Sequence, residues 1–284
     1  ANDLRSTAKM TTGIEIPPAL EPLGTAYIVD PARLVLSQGR EIAVGRMIRE
    51  HSHPRGQLLW AMTGLVKVAS HACVWVVPPS HAVWIPGGMP HRLTTETDAE
   101  MLNLYVDPSR ELRKGKGPKG QGCAVLELTP LLRELILRLA QRLQDDVDDP
   151  RVARLAEVVL DELESLPEAR LSLPGGQDPR LVRMTQHLTA NPADMRPLAD
   201  LAREVGVTPR TLERLFRNET GLPFRQWRIR LRLLAAIDAL NRGESSTTIA
   251  FSLGWSSPSA FVAAFRAQFG TTPQRFLQED RAAA

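Results

Sequence analysis

The 284-residue chain has only two cysteines, Cys73 and Cys123. That excludes a disulfide framework and a cysteine-built zinc site, and it fits a reducing, cytoplasmic compartment. No apolar run reaches the roughly 18 residues needed to cross a bilayer, so no membrane partner is expected. Residues 1–20 lack the apolar centre of a secretory signal and read as a flexible tail. Lysine is missing from residue 177 onward, where 15 arginines stand against 10 acidic residues. The rest of the chain is slightly acidic, so the net charge of +3 arises in the C-terminal part. A basic region favours a polyanionic partner, although a solvated arginine face has the same composition. Length alone suggests about two domains.

Residues 21–107 read as one β-rich domain. Short apolar runs (Arg33–Ser37, Gln57–Met62, Leu65–Ser70, Val74–Val77, Ala82–Ile85, Met101–Val106) are punctuated by Gly, Pro, Asp and Ser. Strands at that spacing predict a barrel or double-sheet jelly roll. Trp60, Trp75 and Trp84 fall within it, as core or as pocket wall. Residues 108–122 combine Gly115, Gly117, Gly120 and Gly122 with Arg113, Lys114, Lys116 and Lys119, which reads as a flexible basic loop. Thr129-Pro130 then caps a helix carrying Leu132, Leu135, Ile136, Leu139 and Leu143, and a second helix spans about 150–166. The pair within residues 108–170 is either plain core or, given its wide apolar stripe, a homodimer surface at 130–166. Residues 171–179, with Pro174-Gly175-Gly176, read as a linker to a helical domain at 180–284.

In that last domain one pattern occurs twice. Leu198, Leu201, Ala202 and Val205 form a short amphipathic helix, Gly206 turns, Thr208 caps a new helix and Pro209 opens it. Leu212, Leu215 and Phe216 make its buried stripe, leaving Arg210, Thr211, Glu213, Arg214 and Arg217 outward. Later, Ile249, Ala250 and Leu253 precede Gly254, Ser257 caps, and Pro258 starts a helix with Phe261, Phe265 and Phe269 inward. Ser256, Ser259, Val262, Ala263 and Arg266 then face out. Two helices joined by a tight glycine turn, the second presenting arginine, suit the DNA major groove. Between the repeats, residues 223–241 contain no helix breaker and span about 28 Å as a helix. One turn of B-DNA is about 34 Å, so a rigid connector of this order sets two helices over successive grooves. Arg225, Arg228, Arg230 and Arg232 on it are expected to meet phosphate or solvent.

The stretch from G-V-T-P-R-T-L-E-R-L-F to F-G-T-T-P-Q-R-F resembles the AraC/XylS family of bacterial transcription regulators. The resemblance covers about the last hundred residues. It implies DNA contact through both motifs, with base contacts from Arg210, Glu213 and Arg214 in the first. Pro258, Ser259, Val262 and Ala263 occupy the matching places in the second. These are small and mostly apolar, favouring thymine-methyl contact or shape readout there.

A second constellation lies in the β-rich part. His51 and His53 alternate along an extended segment and so share a face; Gln57 follows, and His91 stands beside the Pro86-Gly87-Gly88 turn. With Gly45, Gly64, Pro86 and Gly88 in register, this pattern resembles the two motifs of the cupin barrel. Gln57 stands where that pattern has Glu, and Ser80 where its second motif begins with Gly. Barrels of this kind often precede AraC-type DNA-binding domains and sense small ligands. His51, His53, Gln57 and His91 can hold a divalent transition metal, or can line a metal-free pocket. His71 and His81 match no motif position.

The expected architecture is therefore α+β in two domains. An N-terminal cupin-like jelly roll with following helices precedes an all-α domain with two helix-turn-helix motifs on a long connecting helix. The expected function is sequence-specific regulation of transcription, without catalysis, by binding double-stranded DNA under control of a small-molecule or metal effector. RNA polymerase is a further partner if it activates. The alternative is a metal-dependent cupin enzyme with an appended DNA-binding domain.

Overall fold

The computed structural model describes residues 19–70, 73–114, 123–145 and 149–283. Residues 1–18 of the expected tail (1–20), most of the expected glycine-lysine loop and His71 lie outside them. Among the described residues ten strands form two antiparallel sheets. They are β1 (Val35–Ile42), β2 (Met47–His51), β3 (Gly56–Thr63), β4 (Val66–Ala69), β5 (Cys73–Val77), β6 (His81–Ile85), β7 (His91–Thr95), β8 (Ala99–Val106), β9 (Ala124–Glu127) and β10 (Ser172–Pro174). One sheet has the order β1-β8-β3-β6-β9, the other β10-β5-β4-β7-β2. The fold class agrees with the expectation: a jelly-roll-like unit followed by helices.

The period-2 alternation of β3 and β8 decides what each sheet face meets. Leu59, Ala61 and Met101 point between the sheets, whereas Leu58, Trp60, Leu102, Leu104 and Val106 point outward. That outer face is covered by α1 (Pro130–Asp145) and α2 (Pro150–Ser165), whose Leu132, Ile136, Leu139, Val159 and Leu160 are fully buried against it. The wide apolar stripe of the helical pair is therefore largely consumed within the chain's own core. Leu131, Leu137 and Val158 remain exposed. The three tryptophans are core: Trp60 and Trp84 lie beneath the helices and Trp75 between the sheets.

The β structure extends beyond residue 107. β9 pairs with β6, and β10 pairs with β5 through Ser172↔Trp75, so part of the expected linker is a sheet strand. Strands of three and four residues carry too little pattern to be seen locally; their long-range partners make them. Arg113 was expected in a mobile loop. Instead its guanidinium is buried and donates to the carbonyls of Leu163 and Leu166 at 3.1 and 2.9 Å.

The C-terminal part comprises α3 (Pro179–Ala190), α4 (Leu198–Glu204), α5 (Pro209–Leu215), α6 (Phe224–Asn241), α7 (Ser246–Ser252), α8 (Pro258–Phe269) and α9 (Pro273–Ala283). The last helix runs on through Ala282 and Ala283. α5 ends in a π turn, Phe216–Thr220, closed by Gly221 at φ 75°. Eleven of the 18 residues of α6 are buried, so it is the hub of this part rather than an exposed strut. The arginine run on it corrects accordingly. Arg232 is buried. Arg228 donates to the Arg196 carbonyl at 2.7 Å, and Arg230 reaches Ser172 Oγ at 3.4 Å. Among the four, Arg225 alone is exposed. A helix packed on nearly all sides must bury some of its arginines, and the stems of these pack while the heads find carbonyl or hydroxyl oxygens.

Candidate functional site

Both presumed recognition helices start alike. Thr208 Oγ1 accepts from the Thr211 amide at 3.2 Å, Ser257 Oγ accepts from the Ala260 amide at 3.2 Å, and each is followed by proline. The turns before them also match: Gly206 and Gly254 have φ 72° and 75°, where a side chain would be strained. On α5, Arg210, Arg214 and Arg217 are exposed and Thr211 and Glu213 half-buried. Glu213 is held by Arg217 at 3.2 Å, one helical turn away. Arg210 and Arg214 make no side-chain hydrogen bond or ion pair among the described residues, so their donors face outward unengaged. On α8 and the turn before it, Ser256, Ser259, Ala263 and Arg266 are exposed, and Ser257 and Val262 half-buried. The hydroxyls of Thr208 and Ser257 serve as helix caps.

The histidine cluster assembles from three elements. His51 and His91 are cross-strand partners on β2 and β7, their rings 4.4 Å apart. His53 follows β2, with its ring 5.7 Å from His51 and 5.2 Å from His91. One nitrogen from each lies within 4.8 Å of the others. The main chain fixes which nitrogen that is. Nδ1–H of His51, His53 and His91 donates to the carbonyls of Arg49, Arg55 and Met89 at 2.7, 2.8 and 2.9 Å. In a neutral ring the opposite nitrogen, Nε2, then carries the lone pair. Burial pushes His53 below its ordinary value and His91 down to about 4, so both are neutral at pH 7.

Gln57 completes the group, and a residue that sequence reading missed orients it. Asn103 Nδ2 donates to the Gln38 carbonyl at 3.3 Å, which turns Asn103 Oδ1 toward Gln57 Nε2 at 2.7 Å. Gln57 Oε1 is thereby aimed at His53 Nε2, 3.0 Å away. Because Nδ1–H of His53 is committed to the Arg55 carbonyl, this contact is a hydrogen bond only where Nε2 also carries a proton. Tyr105 and Tyr27 set their ring edges against His53, at 5.7 and 6.1 Å. The signal for Asn103 was present in the sequence: a polar residue in the inward register of an otherwise apolar strand. His81, outside the cluster, is buried and bonded to Ser80 Oγ at 2.7 Å. The cavity beside the cluster holds only about 20 Å³, because Leu59, Leu93, Met101 and Ile48 fill the barrel.

Two family models match the chain: an AraC-like ligand binding domain over residues 43–163 and a helix-turn-helix domain over residues 201–279. The HTH-type transcriptional regulator NimR of Escherichia coli is 36% identical over 227 residues, covering 80% of this chain and 81% of NimR. The chain belongs to the AraC family. It is an AraC-type DNA-binding transcription regulator with a ligand-binding domain. RipA of Corynebacterium glutamicum, another HTH-type transcriptional regulator, is 36% identical over 108 residues, which is 38% of this chain and 33% of RipA. Apo ToxT of Vibrio cholerae aligns over 87% of this chain and 97% of its own, at 12% identity and TM-score 0.37. No helix among the described residues is long and apolar enough to cross a membrane.

Proposed function

We propose that this AraC-family regulator reads specific DNA sequences chiefly through α5, and that a divalent transition metal ion at His51, His53, His91 and Gln57 controls that reading. The observation that carries the metal is the convergence of lone pairs. Three main-chain carbonyls turn three Nε2 atoms toward one region, and the Asn103–Gln57 amide chain adds an oxygen facing His53. Lone pairs gathered at one place are relieved by a proton or a cation, and imidazole nitrogen with an amide oxygen suits transition metals. A bound ion would supply the positive charge these four groups lack. Glutamine adds no charge of its own, so the affinity is lower than a glutamate would give. The small cavity supports an ion over an organic effector.

His51 is half-exposed, so its replacement disturbs packing least. Elemental analysis of purified protein is expected to find a transition metal in the wild type and to find it largely lost in His51→Ala. Equal metal in both sinks the metal reading and leaves a metal-free pocket.

For the DNA surface, Arg214 and Arg210 are free to bond guanine bidentately, and Glu213 braces Arg217 rather than standing ready for cytosine. α8 serves shape, methyl and phosphate contacts through Ser256, Ser259, Val262, Ala263 and Arg266. Replacing Arg214 by Ala should weaken binding to the cognate site by about 1–3 kcal/mol and leave random-sequence binding nearly unchanged. Equal losses on both, measured by titration at fixed salt, make Arg214 a phosphate contact instead.

The enzyme alternative gains no support: among the described residues no carboxylate joins the histidines. In this reading the barrel and helical pair (21–170) are the sensor and 180–284 is the reader, working in the cytoplasm where the chromosome lies. A homodimer through residues 130–166 would rest on Leu131, Leu137 and Val158, and activation would add contact with RNA polymerase.

A further inference from the structure

The two helix-turn-helix units repeat in sequence and backbone, so a difference in what surrounds their turns is informative. After α4 the Gly206 amide bonds to the Arg203 carbonyl at 3.1 Å; after α7 the Gly254 amide bonds to the Phe251 carbonyl at 3.1 Å. A methyl group added at Gly206 would meet nothing within 4 Å. One added at Gly254 would lie 2.5 Å from Met195 Sδ. Met195 belongs to the loop between α3 and α4, so a side chain from the first unit is pressed onto the turn of the second.

Arg232 holds the same place from the connector. Its guanidinium is 7% exposed. Nη1 donates to the carbonyls of Leu253 and Gly254 at 3.2 and 3.3 Å and lies 3.5 Å from Met195 Sδ. Its central carbon stands 5.1 Å from the centre of the Trp255 ring. Those two carbonyls end α7, where a cation meets the negative end of the helix. Among the described residues no carboxylate pairs with Arg232, and its Nε has no hydrogen-bond partner. A guanidinium buried without a counter-charge is a costly way to fill space. What it supplies that Leu or Met cannot is directional donors gripping the turn that leads into α8.

We propose that Arg232, with Met195, is a positioning residue that fixes α8 relative to α5, and so sets the spacing at which the second motif meets DNA. The inference rests on the reading that both motifs contact DNA. It also answers a difficulty in that reading. α8 presents small, weakly hydrogen-bonding residues, and a helix that reads shape gains discrimination only if it is held rigidly. The first motif, whose arginines reach bases directly, has an open turn and no such clasp.

The test uses the full chain, the DNA site that the wild type selects from a random library, that site with one base pair inserted between its two halves, and a probe with the first half alone. Wild type is expected to lose about tenfold in affinity on the inserted site. Arg232→Met should lose about tenfold on the natural site, bind the half-site probe as the wild type does, and no longer distinguish natural from inserted spacing. Arg232→Lys, keeping the charge without the fork, should fall between. Unchanged half-site binding also shows that the variant is folded. The proposal is overturned if Arg232→Met keeps the wild-type spacing preference, or if both Arg232 variants lose affinity equally on full and half sites. If the wild type selects no sequence at all, it is the DNA-reading proposal that fails.

Discussion

Replacing Arg55 by Met should destabilise the barrel by about 3–5 kcal/mol, a large share of the usual stability of a domain. The guanidinium is wholly buried. Its Nε donates to the Ile28 carbonyl, Nη1 to those of Leu34 and Tyr105 at 3.3 and 3.2 Å, and Nη2 to those of Asp30 and Arg33 at 3.3 and 2.9 Å. Nη2 also pairs with Asp107 at 3.2 Å, and both side chains are out of solvent. Methionine fills much of the volume but leaves Asp107 a buried anion and takes a donor from five carbonyls, of which those of Leu34 and Asp30 keep the Asp107 and Arg33 amides. Urea melts of wild type, Arg55→Met and Arg55→Met/Asp107→Leu separate the two losses. The double variant should recover part of the stability, because it removes the stranded charge. No recovery would assign the whole effect to the carbonyls. Arg55 also anchors residues 28–34 beside the His53 end of the barrel, so the single variant should loosen the histidine cluster as well.

Arg55 marks how far local pattern reaches. The histidines were legible because an H-x-H alternation places both on one face whatever the rest of the sheet does, and the Pro-Gly-Gly turn carries His91 to its cross-strand partner. The recognition helices were legible because caps, first-turn prolines and turn glycines are local chemistry. The buried cations were not. Arg113 and Arg232 sit in stretches that read as loop and solvated helix, Arg55 lies between Pro54 and Gly56 just ahead of an apolar run, and each is buried by carbonyls distant in sequence. The same holds for β9 and β10, which exist only through β6 and β5. The connector was legible as a helix of the right length. Its burial was not, because packing on nearly every side erases the amphipathic stripe that marks a helix as half in and half out.

That burial leads to the other large effect, at the contact between barrel and reader. Lys67 on β4 bonds directly to Asp238 on α6 and lies 3.3 Å from Glu96. Asp238 is 5% exposed, and its second oxygen has no hydrogen-bond partner among the described residues. Burial pushes its carboxyl up to about 6, with the Lys67 ammonium pulling it down, Glu96 pushing it up and Arg242 adding a further downward pull. Lys67→Met removes the cation bonded to it. The expected cost is about 3–5 kcal/mol at pH 8, where the carboxylate would be buried unpaired.

The sign of the pH dependence follows from linkage. An acid whose folded pKa lies above its unfolded one binds more protons when folded, so stability is lost as pH rises through the folded value. In the wild type that window closes near pH 6. Without Lys67 it moves upward, so melting temperature should fall between pH 6 and 8 in the variant and not, from this group, in the wild type. Asp238→Asn combined with Lys67→Met should abolish that slope. The variant can escape the penalty in one other way, by parting the barrel from α6 and letting water reach Asp238. Hydrogen exchange then speeds in β4 and α6 while the sheet β1-β8-β3-β6-β9 stays protected. Melting curves of Lys67→Met that superpose at pH 6 and 8, with unchanged exchange, would show that the ion pair does not hold sensor and reader together. If the exchange rises only there, a single lysine couples the histidine-bearing barrel to the helix that joins the two helix-turn-helix motifs.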